Sequence, residues 1–575
     1  MNDRQLYTIE GENLSGIPWD IYPRPQMRRT EWQCLNGMWK LQTGSVTDGS
    51  CETDIRVPFC PESLLSGFNG HVEYGKVLRY SRHFSIPGEW RSKRIILHFG
   101  AVNNRCKIFV NKKKVCEHEN GYLAFEVDIT DMLNQNASDN LLEVTVINDL
   151  SGRLPTGKQK VKRGGMWYTP VSGIWQSVWL EPVPDKYIGK LKISADLTGA
   201  DISVQGEGVR EGTIICEGRE YAFTDGKVRI EPENKRLWSP EEPYLYSFTV
   251  NCGTDCVESY FALRTVSVGN FRGIPRLCLN GKPYFFNGLL DQGYFSDGLY
   301  TPAVPGLYEK DILAVKALGF NTLRKHIKIE PEQFYYDCDR LGMIVFQDMV
   351  NNGGYSFFTD TLLPTIGLKR RNDRKMHRNP KFRPEFLRAM ELTAEQLYDH
   401  PCICYWTIFN EGWGQFEADR AYDRLKAIDE SRIIDSTSGW FHQKKSDVDS
   451  LHVYFKKLKT GKKIDMPQVM SEFGGYVYKI PEHSYNLEKT YGYKILPDRV
   501  EFVNALRKLY IEEVLPLVKM GLSAAIYTQV SDVEDETNGL LTYDRRICKL
   551  EPEEFLDAAK MLADAGSDGS APDTK

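Results

Sequence analysis

The sequence predicts a multidomain β plus α/β protein, two antiparallel β-sandwiches followed by a (β/α)8 barrel. Three observations carry that expectation. The chain has 575 residues, several times the common domain size of about 100–150. Its hydrophobic pattern alternates with period two up to about Ser267, then changes after Phe271 to apolar runs separated by amphipathic stretches, which is the grammar of parallel βα units. Two acidic residues, Glu411 and Glu472, each end an apolar run that reads as a buried strand, and in a parallel barrel that position is the mouth.

From about Trp19 to Pro184 the runs are short and divided by Gly, Asn and Pro turns, as in Arg94–Gly100, Cys106–Asn111 and Leu142–Asn148. They indicate an antiparallel sandwich. Tyr187 to Ser267 repeats the style at Lys192–Ser194, Thr213–Cys216, Lys227–Glu231 and Tyr244–Val250, a length that fits an immunoglobulin-like sandwich. Barrel strands are expected near Tyr284–Leu290, Thr322–Ile327, Ile344–Met349, Ile403–Asn410, Ile433–Ser438, Leu451–Phe455, Gln468–Phe473 and Ala524–Val530. Helices are expected at Glu309–Leu318, Pro331–Leu341, Pro384–Asp399, Glu417–Asp429 and Glu501–Met520. Glu411 then follows strand four and Glu472 ends strand seven. The expected domains are 1–184, 185–268 and 269–565, with a polar, turn-rich tail at 566–575 that reads as disordered.

Composition narrows the function classes. Lys plus Arg number 73 and Asp plus Glu 78, a net charge of -5 with the charges scattered, so no basic stripe points to nucleic acid or an anionic membrane. No apolar run approaches the roughly 18 residues of a membrane span, and Met1 to Leu14 lack a leader's apolar stretch. The 13 cysteines, without a CxxC pair, read as reduced packing thiols of a cytoplasmic protein. Cys252 and Cys256 have no partner pair to complete a zinc site. Neither a metal nor a cofactor is expected. Aromatic residues make up 12% of the chain, which suits a large core and also the stacking of rings on sugars.

Two carboxylates at strand ends suggest acid/base and nucleophilic chemistry on a glycosidic bond. The poor leaving group needs a proton, which Glu411 can deliver, and the anomeric carbon needs an ionised carboxylate on its other face, which Glu472 can supply. Either residue alone reads equally well as a capping or ion-pairing group.

The chain resembles the family 2 glycoside hydrolases, which include β-galactosidases, β-glucuronidases and β-mannosidases. In the first sandwich Val57–Ser63, Tyr80–Phe84 and Ser172–Glu181 are similar to the family's sugar-binding jelly roll; in the barrel Phe285–Gly288, Gly319–His326 and Asn410-Glu411 resemble its signature segments. The resemblance implies an exo-acting, retaining enzyme on a carbohydrate substrate, with Glu411 as acid/base after Asn410 and Glu472 as nucleophile. It also implies homo-oligomers associated through the sandwich domains. An inactive carbohydrate-binding protein and an endo-acting hydrolase with an open groove are the other readings.

Around the pair, Asn410 is expected to hold a sugar hydroxyl or to satisfy a turn, Arg324 to keep the nucleophile ionised or to form an internal ion pair, and His326 to reach a hydroxyl or to sit satisfied in the core. His452 and Tyr454 share one strand face, and the tyrosine is placed to donate to the nucleophile. Trp440 and Tyr527 are candidate stacking walls or core residues. Asp291 and Asp348 are candidate hydroxyl acceptors or parts of a polar rim. Substrate identity is less legible. Gly165 stands where many β-galactosidases carry Asp, no Asn-x-Lys pair of the glucuronidase kind lies near Thr537-Asn538-Gly539, and Gln347–Gly354 lacks the Glu-x-His magnesium segment of large β-galactosidases. The Trp167–Trp175 run is similar to members on the mannosidase and glucosaminidase side. β-Galactosidase is the first expectation, as the family's commonest activity.

Overall fold

The computed structural model describes residues 4–44, 52–134, 139–365, 367–368, 372–377, 379–461 and 465–567. The first sandwich packs a six-stranded antiparallel sheet, ordered Glu52–Val57, Gly37–Thr43, Val77–Phe84, Asn140–Ile147, Arg105–Val110 and Lys113–Glu119, on a four-stranded one. Asn140–Ile147 alternates strictly between buried and half-buried residues, as a strand with one face in a core must. Trp39, Leu97 and Val144 lie in that core. The second sandwich has seven strands in sheets of three and four, the count of an immunoglobulin-like domain. Arg29 joins the two by bonding Glu181 of the first and Asp255 of the second, at 3.0 and 2.8 Å.

Eight parallel strands form the barrel: β1 (Phe286–Asp291), β2 (Thr322–Lys325), β3 (Ile344–Asp348), β4 (Ile403–Asn410), β5 (Ile433–Ser438), β6 (Asp449–Val453), β7 (Gln468–Gly474) and β8 (Leu522–Thr528). Their order is β5-β4-β3-β2-β1-β8-β7-β6, and at the seam Ser450 Oγ on β6 reaches Thr437 O on β5 at 3.4 Å. Residues of β3, β4, β5 and β8 are buried throughout, because helices cover the outside and side chains fill the inside. All eight expected strands are present, with ends shifted by a few residues.

Three features depart from the expected layout. The limit at 268/269 falls inside a strand, Val266–Phe271, that pairs with Ile274–Leu279; Leu277 N donates to Ser523 Oγ at the start of β8, so this hairpin closes the barrel's lower end. The helix expected at Glu501–Met520 begins at Arg499 and contains a wider π turn, Leu509–Val514, before Leu515–Lys519. A last helix, Pro552–Ser567, packs Phe555 and Leu562 into the barrel core. Gly566 and Ser567 of the expected tail belong to it, and 568–575 lie outside the described residues.

Candidate active site

β7 carries Glu472 to the upper end of the barrel, 5% exposed, and the site is built around its two oxygens. Oε1 accepts from Arg324 Nη1 of β2 at 3.0 Å; Oε2 accepts from the Tyr454 hydroxyl at 2.7 Å. Arg324 is fixed in turn: Nε on Asp348 Oδ1 at 2.9 Å, Nη1 also on Ser471 O at 2.9 Å, and Nη2 on Asn410 Oδ1 at 2.8 Å. Such charge-assisted bonds favour an ionised acceptor. Burial pushes the Glu472 carboxyl up, but the charge of His452 when its ring is protonated, and that of Arg324, outweigh it and bring it from 4.5 to about 2. Burial and the charge of Glu472 both raise the Tyr454 hydroxyl far above its ordinary value, so it stays a donor.

Glu411 follows β4 at φ 53°, the left-handed region that a non-glycine residue rarely adopts. Its N–H donates to Ser438 O at 3.0 Å, and its carbonyl accepts from Trp440 Nε1 at 3.0 Å. Ile327, Phe441 and Phe455, on the loops after β2, β5 and β6, share that conformation, so several strained residues stand at this end of the barrel. The Glu411 side chain is 17% exposed, and Oε1 lies 2.8 Å from His452 Nδ1. One oxygen of Glu411, one of Glu472 and a His452 ring nitrogen fall within 4.8 Å of one another. That spacing would admit a cation, and among the described residues no other such set is found. The Arg324 guanidinium already brings positive charge to Glu472.

The first sandwich supplies the rest of the wall. Its loop is bolted to the segment after β3, with Gly353 N on Gly152 O at 2.8 Å and Thr156 N on Asn351 O at 3.1 Å. It is bolted as well to the segment after β8, through Thr169 N on Glu534 at 2.9 Å and the Tyr168 hydroxyl on Glu536. A cavity of about 2220 Å³ results, lined by Glu411, His452, Tyr454 and Trp440 from the barrel and by Lys160, Gly165 and Trp167 from the sandwich. Trp167 packs edge-on against Tyr355 and Trp413, at 5.0 and 5.2 Å between centroids, and Lys160 Nζ sits 3.6 Å above its ring. Lys158 and Lys160 have no carboxylate within bonding distance among the described residues. Burial and the charge of Lys158 lower Lys160, and Lys158 helps to hold down Glu472.

Three family models match: glycosyl hydrolases family 2, sugar binding domain, over residues 69–184; glycosyl hydrolases family 2 over 184–264; and glycosyl hydrolases family 2, TIM barrel domain, over 275–476. The chain belongs to glycosyl hydrolases family 2. The beta-galactosidase of Thermoanaerobacter pseudethanolicus is 24% identical over 467 residues, 75% of this chain but only 58% of that one. The solved beta-D-glucuronidase of Dictyoglomus thermophilum is similar in fold, with a TM-score of 0.72 at 17% identity over 96% of this chain and 99% of that one. A beta-galacturonidase of family 2 from Eisenbergiella tayi, solved with galacturonate, gives 0.68 at 19% identity over 94% and 99%.

Within this family 2 chain the expected site residues separate into two groups. Asn410, Arg324, His452, Tyr454 and Trp440 gather around Glu411 and Glu472. Because Arg324 takes the Asn410 oxygen, the amide Nδ2 is left without a protein partner among the described residues. Asp348 is no open rim acceptor: it is 1% exposed, with Oδ1 on Arg324 and Oδ2 2.8 Å from His326 Nδ1. His326 is therefore held on Asp348, and burial lowers its pKa. Asp291 turns away to Lys325. Tyr527 is fully buried against Phe473 and Tyr510, its hydroxyl accepting from Tyr476 N at 3.0 Å, so it is core and not a stacking wall. Sequence reading missed Lys158, Lys160, Tyr355, Tyr491 and Tyr493. They come from three separate loops, and no local spacing marks them.

Proposed function

We propose that the chain is a retaining exo-β-glycosidase that releases a terminal non-reducing sugar by double displacement through a glycosyl-enzyme on Glu472. The observation that carries this reading is the convergence of Glu411 and Glu472 on one site, with an oxygen of each and a His452 ring nitrogen all within 4.8 Å of one another; a close carboxyl pair, roughly 5–5.5 Å between the groups, is what a retaining enzyme uses. In the first step the Glu472 carboxylate bonds to the anomeric carbon, the glycosidic bond breaks, and Glu411 gives its proton to the departing oxygen. Esterification removes the negative charge beside Glu411, so its carboxylate takes a proton from water as that water attacks the same carbon and frees Glu472. Arg324 and Tyr454 stabilise the charge that leaves and returns. The cavity exceeds the roughly 300–1,000 Å³ of common small-molecule sites, and Trp167 and Tyr355 offer faces for the group beyond the terminal sugar.

The stereochemistry of the first product tests the mechanism. Hydrolysis of a nitrophenyl β-glycoside followed by proton NMR is expected to show the β anomer before mutarotation; an α anomer appearing first would overturn retention. The substrate panel is galactoside, glucuronide, mannoside, glucosaminide and arabinopyranoside. A β-galactoside is the first candidate, supported by the Thermoanaerobacter relative. An acidic sugar is the second, favoured by Lys158 and Lys160, whose ammonium groups have no carboxylate partner among the described residues and stand beside the cavity where Gly165 offers no carboxylate. On that reading Lys158→Ala lowers kcat/KM for the uronide about tenfold or more and leaves neutral sugars unchanged; equal losses on both would remove it.

A further inference from the structure

His452 stands between the two carboxylates, and the hydrogen bonds around it decide which of its nitrogens carries a proton. Ser471 Oγ donates to Leu451 O at 3.3 Å, and Ser438 Oγ donates to Ser471 Oγ at 2.9 Å. The Ser438 proton is thereby spent, so its oxygen accepts at its 2.9 Å contact with His452 Nε2. Arg324 Nη1 lies 3.5 Å from Nε2, but its two protons are committed to Ser471 O and Glu472 Oε1. Nε2 therefore bears the hydrogen of the neutral ring, and Nδ1 presents a lone pair to Glu411 Oε1 at 2.8 Å. A contact that short between a lone pair and a carboxyl oxygen requires one proton in it. Gly439 keeps the ring in place, since a Cβ there would lie 2.9 Å from the imidazole, and the Trp440 ring abuts it at 5.5 Å. The charged groups facing the imidazole are Glu411 from the loop after β4, Glu472 from β7, with Oε2 3.6 Å from Nδ1, and Arg324 from β2.

We propose that Glu411 and His452 hold the working proton as a pair, with Nε2–H locked on the Ser438–Ser471 chain, so that His452 keeps the acid/base loaded before the substrate's bond breaks. The inference rests on the assignment of Glu411 as acid/base. In glycosylation the shared proton passes to the leaving oxygen while the carboxylate of Glu472 forms the ester. In deglycosylation water loses a proton to the pair, its oxygen bonds to the anomeric carbon, and Glu472 departs as carboxylate. His452 acts through Glu411 and is a positioning residue.

Leaving-group dependence separates this role from a packing role. With the sugar that the wild-type enzyme hydrolyses, kcat/KM of His452→Gln is measured on the methyl β-glycoside, which needs a proton, and on the 2,4-dinitrophenyl β-glycoside, which does not. The expected result is a fall of about 10²-fold on the first, less than about threefold on the second, and an alkaline limb moved to lower pH on the methyl glycoside. Ser438→Ala, which removes the acceptor of Nε2–H together with the bond to Ser471 but leaves the imidazole in place, is expected to do the same on a smaller scale, about three- to tenfold. Equal falls on both glycosides, or an unmoved alkaline limb in both variants, would overturn the inference and leave the glycosidase reading intact. A wild-type protein inert on every glycoside of the panel would overturn both.

Discussion

Arg324 and Lys325 are neighbours on β2, both 1% exposed, yet they organise two different buried networks. Successive residues of a strand face opposite ways. Arg324 turns inward, where it binds Asp348, Ser471 O, Asn410 and Glu472. Lys325 turns outward, its ammonium bonded to Asp291 and Glu330 and 4.2 Å above the Phe334 ring of the helix Glu332–Leu341. Both pairings hold their carboxylates ionised: burial raises Asp348 and Asp291, and the adjacent cations more than reverse it. The difference is that one network ends on Glu472, which is bonded to the cavity-lining Tyr454, and the other is closed on itself. A buried charge with a perturbed pKa is thus a weak sign of function until its direction on the strand is known.

Substitutions at the two positions are expected to separate stability from activity. Lys325→Ala leaves Asp291 and Glu330 without their shared cation, and the expected loss is about 3–5 kcal/mol of folding stability, read as a lowered urea midpoint, with kcat/KM of the folded enzyme unchanged. A selective loss of activity at full stability would break the contrast. Arg324→Lys keeps the charge but cannot span four acceptors with one ammonium. Its expected signature is a fall of about 10²–10³-fold in kcat/KM with the smaller effect on unfolding. Acidification gives the subtlest difference. With its carboxyl depressed from 4.5 to about 2, Glu472 contributes stability that is present above pH 4.5 and lost as the pH falls toward 2. The unfolding midpoint of Glu472→Gln is therefore expected to fall less steeply over that window than the wild type's. Parallel slopes would contradict the depressed carboxyl.

The parts legible in the sequence were those written in local periodicity. Eight apolar runs separated by helical stretches became β1 to β8, and Glu411 and Glu472 stood out because a carboxylate closing a buried run has few places to go. Asp291 and Asp348 looked alike in the sequence, each ending a strand, and were separated only by partners contributed from elsewhere, Lys325 and Arg324. Tyr527 sat at the right height in β8 but pointed at Phe473 and Tyr510. The wall from the first sandwich was illegible for a plainer reason. Lys158, Lys160 and Trp167 precede Glu472 by some 300 residues, and only the bolts between loops bring them to it.

Identification of the residue that carries the sugar tests the account most directly. A 2,4-dinitrophenyl 2-deoxy-2-fluoro-β-glycoside of the preferred sugar forms the ester fast and releases it slowly, and peptide mapping by mass spectrometry then locates it. One fluorosugar per chain on the peptide bearing Glu472 is the expected result. Inactivation with the label on Glu411 or on any other side chain would contradict it.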